Sequence, residues 1–182
     1  MPVNVSKSRS PHTDKSSSTR GGAAPAFLLA QVGAHAAATF AERLSVLNLS
    51  PPHAGILRVV DMSGGISQQS LAEHLRILPS RLVVLIDELE ERGMVERRAD
   101  PADRRSYALQ LTNKGRDTMK GIGRVARAHQ EALLASLSPH ERDVLASLLL
   151  RVADQQGLRP GVHPGFARLR TRRRLDETAQ RD

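Results

Sequence analysis

Residues 71–112 read LAEHLRILPSRLVVLIDELEERGMVERRADPADRRSYALQLT, and this stretch decides the fold. Leu71, Ala72 and Leu75 recur at helical spacing. The chain then turns through residues 76–78, and Pro79 stands where a first helical position is expected, since that position loses nothing by lacking an N–H. Leu82, Leu85, Ile86 and Leu89 follow at i, i+3, i+4 and i+7, which defines one buried helix face. Gly93 stops this helix. Two β-prone runs come next, 94–98 and 107–111, the second alternating Tyr107, Leu109 and Leu111 on one side. The link 99–106 is too long for a two-residue hairpin turn and is expected to project, carrying Asp100, Pro101, Asp103, Arg104 and Arg105. Two helices across a tight turn, then an arginine-tipped hairpin, predict a mainly α protein with a small β-hairpin wing: a winged helix-turn-helix.

Working outward, Ser67 caps the first motif helix and Gly64-Gly65 closes the element before it. That element opens at Ser50-Pro51 and buries Ile56, Val59 and Val60. Leu29, Val32, Ala36, Phe40, Leu44 and Leu47 form the stripe of a first long helix ending near Asn48. On the other side, Thr112 caps a fifth helix striped by Met119, Ile122, Val125 or Ala126, His129 and Leu133. Ser138-Pro139-His140-Glu141 is a capping box for a sixth, lined by Leu145, Leu148, Leu149 and Val152. The glycines and prolines from Gly157 to Gly165 are expected to end the folded domain. The division is then a disordered basic arm (1–24), a winged domain (25–158) and a basic tail (159–182). Within the domain, terminal helices at 26–48 and 113–157 flank a DNA-binding lobe at 50–112. The terminal helices carry more apolar face than a small lobe can cover, so a homodimer is expected. Twofold symmetry would set two recognition helices about 34 Å apart on one DNA face, and the target would be an inverted repeat.

Composition narrows the function classes. At 182 residues and 40% hydrophobic content, the chain suits about one domain. No window holds the roughly 20 apolar residues of a membrane span and no apolar signal core opens the chain, so a cytoplasmic protein without a membrane partner is expected. There is no Cys, which excludes disulfides and thiolate metal sites. The histidines show no metal-ligand spacing such as H-E-x-x-H, and no nucleophile, base or metal set points to catalysis, so neither a catalytic residue nor a metal or cofactor is expected. The net charge of +8 sits at the ends: residues 1–24 hold four cations against Asp14, and 159–182 hold seven arginines against three acids. Basic tails add sequence-independent attraction to phosphate.

Leu71-Ala72-Glu73-His74-Leu75, the run from Leu89 to Arg97, and above all Asp100-Pro101-Ala102-Asp103-Arg104-Arg105 leading to Leu109-Gln110-Leu111-Thr112-Asn113-Lys114-Gly115 resemble the MarR family of bacterial transcriptional regulators. The resemblance spans about residues 26–155. It implies an obligate homodimer on double-stranded DNA, an operator usually repressed, and release by small anionic, often aromatic, ligands.

On a helical wheel of the second motif helix, Ser80 and Val84 lie opposite the buried face, with Arg81, Val83 and Asp87 on its flanks. Arg81 could donate to guanine or phosphate and Ser80 to either, while Ser67, Gln68 and Gln69 open a helix whose N-terminus suits a phosphate. The family's Asp-x-Arg pair maps to Asp103 and Arg105, with Arg105 entering the minor groove and Asp103 orienting it; Arg104 and Arg98 are expected at phosphates. Where the family usually carries polar residues, this chain has Val83 and Val84, which could contact thymine methyls, unless one packs under the wing. His35, His53 and His129 lie on the helices that in this family enclose the effector pocket and are the ligand-binding candidates. The alternative is an architectural DNA binder of low specificity driven by its tails.

Overall fold

The computed structural model describes residues 24–99, 107–158, 162–163 and 166. The elements run α1 (Pro25–Ser45), α2 (Pro51–Ser63), β1 (Ile66–Ser67), α3 (Gln68–Leu75), α4 (Pro79–Glu91), β2 (Val95–Ala99), β3 (Tyr107–Leu111), α5 (Asn113–Leu133) and α6 (Pro139–Gln155). The three strands form one antiparallel sheet in the order β1-β3-β2. The wing's register pairs Val95 with Leu111 and Ala99 with Tyr107.

Most boundaries fall where local chemistry sets them. Ser50 precedes the Pro51 start of α2, and Gly64 ends it in the left-handed region at φ 66°. The Ser67 hydroxyl accepts from the Ser70 N–H at 3.1 Å to cap α3. At α6 the capping box is complete: the Glu141 carboxylate accepts from the Ser138 N–H at 2.8 Å and the Ser138 hydroxyl from the Glu141 N–H. Between α3 and α4 the turn is made by Arg76 at φ 52°, a non-glycine in the left-handed region, with Ile77 N–H returning to Ala72 O at 3.1 Å. This closure brings α3 and α4 together as a helix-turn-helix.

The regular part of α1 ends at Ser45 and its last turn closes near Asn48, as expected: the Asn48 N–H donates to Ser45 O at 2.8 Å, the Leu49 N–H to Leu44 O at 3.3 Å, and Asn48 is left-handed at φ 54°. Two expectations need correction. A third strand, β1, pairs Ile66 with Leu109 and Ser67 with Ala108; two residues are too short to show periodicity. The folded region also extends past residue 158: Phe166 is 2% exposed in the main core and Val162 packs against that core. Apolar burial outweighs the glycine–proline run that suggested an end.

That core unites Leu44 of α1 with Ile56, Leu57 and Val60 of α2, the inward faces of α3 and α4, and Leu109 and Leu111 of β3. A fully buried leucine of this kind contributes about 1.5–3 kcal/mol. The terminal helices are different. Val32 of α1 is 50% exposed, and no residue of α6 is buried, with Val144, Leu148, Leu149, Leu150 and Val152 all open.

Candidate nucleic-acid interface and effector cavity

The recognition helix α4 is fixed on one side and open on the other. Leu82, Ile86 and Leu89 are buried, while Ser80 is exposed and Val84 is 56% exposed, as the wheel requires. Val83 and Arg81 are half-buried on the flanks, so of the two valines only Val84 stands free in the middle of the open face. At the start of α3, Gln69 is exposed and donates to Glu73 at 3.2 Å, and Gln68 is half-buried. Both line a concave surface with Arg76 and Pro79. Ser67 is half-buried and its hydroxyl is engaged with Ser70, which makes it a helix cap first.

On the wing, Arg98 is exposed and paired within its own strand to Glu96 at 2.7 Å. Asp103, Arg104 and Arg105 lie outside the described residues. One residue that the sequence reading passed over ties wing and helix together: Arg97 of β2 donates to Asp87 of α4 at 2.6 Å and also to Glu90. Asp87, expected on a groove flank, is committed to this strap. Two carboxylates at i, i+3 on one helix face, opposite a strand with adjacent arginines, were the available signal. Tyr107, expected on the side of Leu109 and Leu111, pairs with Ala99 and is 63% exposed where β3 emerges from the wing.

The three expected ligand histidines do not converge. His53 is buried between α2 and α4. The Ser50 N–H donates to its Nδ1 at 3.2 Å, which leaves the proton on Nε2 for the Glu88 carboxylate at 2.9 Å. Burial pushes its pKa down more than the hydrogen bond to Glu88 raises it. His35 is exposed on α1. His129 lies tilted against Phe40, ring centroids 5.4 Å apart, its pKa lowered by burial and then by the charges of Arg43 and His35.

Phe40 also lines a cavity of about 300 Å³. Its walls come from α1 (Phe40), α2 (Pro51, Ala54, Gly55, Arg58), α5 (Met119, Ile122, Ala126) and the returning segment (Val162, His163). The histidine at this cavity is therefore His163, held over Phe40 at 5.9 Å and with its pKa lowered by burial. It sits beyond Pro160 and Gly161, where the sequence suggested a tail. Among the described residues no cluster of three or more His, Asp or Glu could hold a metal ion, and no helix is long and apolar enough to cross a membrane.

A helix-turn-helix with an open recognition face, strapped to an antiparallel wing, defines a winged-helix DNA-binding protein. Residues 47–106 match the MarR family. The chain is 34% identical over 118 residues to the HTH-type transcriptional repressor Rv2887 of Mycobacterium tuberculosis, covering 64% of this chain and 85% of that one. Among solved structures, the repressor CouR bound to a 23-mer DNA duplex is similar at 31% identity and TM-score 0.63, over 71% of this chain and 92% of CouR. Rv2887 in complex with p-aminosalicylic acid is similar at 30% identity and TM-score 0.59, over 72% of this chain and 99% of that one. The chain belongs to the MarR family and is a DNA-binding transcriptional regulator; its relatives are regulators, not enzymes.

Proposed function

We propose that the chain is a homodimeric repressor of an inverted-repeat operator, released by a small aromatic acid. The observation that carries the reading is the open Ser80–Val84 face of α4, whose opposite face is buried in the core through Leu82, Ile86 and Leu89 and which is braced to the wing through Arg97. A face held this rigidly can carry base readout: Val84 to a thymine methyl, Ser80 and Arg81 to base edges or phosphate. In this arrangement Gln68 and Gln69 approach phosphate at the start of α3, and Arg98 and Arg104 do so from the wing. Arg105, oriented by Asp103, enters the minor groove.

The dimer is supported by the exposed apolar residues of α1 and α6, a surface a soluble monomer rarely leaves open. The effector reading is supported by the cavity among α1, α2 and α5, near the lower size limit of ligand pockets, with Arg58 at its edge to meet a carboxylate. The similar Rv2887 has been captured with an aromatic acid. α2 would carry the signal, because it forms one wall of the cavity through Ala54 and Gly55 and holds α4 through His53 and Glu88.

The test is binding to the DNA flanking the protein's own gene across a salt series, with and without p-aminosalicylate. A specific regulator keeps a preference of about 10³ or more over random DNA. Equal loss of affinity for all sequences as salt rises would instead favour the architectural binder.

A further inference from the structure

Gly55 sits in the middle of α2, where glycine costs about 1 kcal/mol relative to alanine. The structure supplies a reason for it. A Cβ at this position would lie 2.6 and 2.8 Å from Cε2 and Cζ of Phe166, far inside van der Waals contact. The helix surface is thus shaped to seat an aromatic ring, and the ring in the seat belongs to the chain's own C-terminal segment. Phe166 is 2% exposed there, and Val162 and His163 of the same segment form a wall of the adjoining cavity.

We propose that this segment is a tethered self-ligand: the Phe166 ring occupies an aromatic subsite on α2, and a small aromatic acid must displace it to bind fully. The proposal rests on the effector reading above and adds its regulation. Phe166 follows the end of α6 by 11 residues, and a group tied to the fold over so short a stretch of chain is presented at an effective concentration in the millimolar range. A ring presented at that concentration lowers the fraction of protein open to a free competitor, and apparent affinity falls by the same fraction. The device sets a threshold: the concentration of aromatic acid needed to release the regulator rises by the inverse of that open fraction.

Calorimetric titration of the full chain with p-aminosalicylate, beside Phe166→Ala, tests this. The variant is expected to bind at least tenfold more tightly. A second readout needs no substitution: the nuclear Overhauser contact between the Phe166 ring and the Gly55 Hα is expected in the free protein and lost at ligand saturation. Unchanged or weaker binding by the variant, or a ring contact that survives saturation, overturns the self-ligand and makes the segment a fixed wall, with the effector reading intact. Absence of binding by either protein overturns both.

Discussion

Gly115→Ala offers a sharp test of how the wing joins the body of the protein. An alanine Cβ would lie 2.1 Å from the Met94 carbonyl oxygen, 3.1 Å from its carbon and 3.3 Å from Cδ2 of Leu111. The first of these is backbone and cannot rotate away, so the first turn of α5 and the start of β2 must separate by about 1 Å to restore ordinary contact. That junction is held by Thr112, whose N–H donates to Met94 O at 3.1 Å, whose hydroxyl donates to Gly93 O at 2.6 Å, and whose Oγ1 accepts from the Gly115 N–H at 3.0 Å. Losing the cap costs about 1 kcal/mol, a backbone hydrogen bond about as much, and overpacking about 1–3 kcal/mol. The helix propensity gained offsets about 1 kcal/mol. A net loss of about 2–4 kcal/mol is expected in urea unfolding. Gly123 lies in the same helix, and its added Cβ would meet only Arg127 Nη1 at 3.7 Å, so Gly123→Ala should stabilise by about 0.5–1 kcal/mol. Should Gly115→Ala match Gly123→Ala, the close approach of α5 to β2 is wrong.

Three more outcomes follow from the same geometry. Arg97→Ala should lower operator affinity about fivefold by loosening the wing, with a stability loss of only about 0.5–1 kcal/mol because the pairs are a third to a half exposed; a large stability loss at unchanged affinity would contradict the strap. Val84→Ala should leave the melting temperature nearly unchanged while abolishing the roughly 0.8 kcal/mol penalty for replacing a contacted thymine by uracil; a drop of several degrees would show a packed side chain instead. His53, His129 and His163 are all pushed below the ordinary histidine value of 6.5 by burial. The unfolded chain then binds protons the folded one refuses, so stability is complete above about pH 6.5 and declines as pH falls below it. Urea midpoints at pH 7.5 and 5.5 measure this, and His53→Gln should flatten the decline; no change between the two pH values would refute it.

What could be read from the sequence and what could not divide along a physical line. Helix starts at Pro51, Pro79, Asn113 and Pro139 were legible because caps such as Thr112 and Ser138 and first-turn prolines act within four residues. The open face of α4 was legible because helix geometry turns spacing into direction, and the structure leaves Val84 and Ser80 outward as that geometry requires. The missed features join residues far apart in the chain. His53 reaches Glu88 across 35 positions, and β1 exists only because Ile66 finds Leu109. Phe166 packs on Gly55, 111 positions earlier, at a distance that a side chain there would not allow. A lone mid-helix glycine is still a usable signal, since its cost must be offset by some close approach. Gly55 announces that something packs on α2, and the partner's identity then comes from three dimensions. The same reasoning explains why His35, His53 and His129 were read as a group. Their helices do enclose a cavity, but a helix faces two ways, and His53 points toward α4 while the cavity takes its histidine from the returning segment.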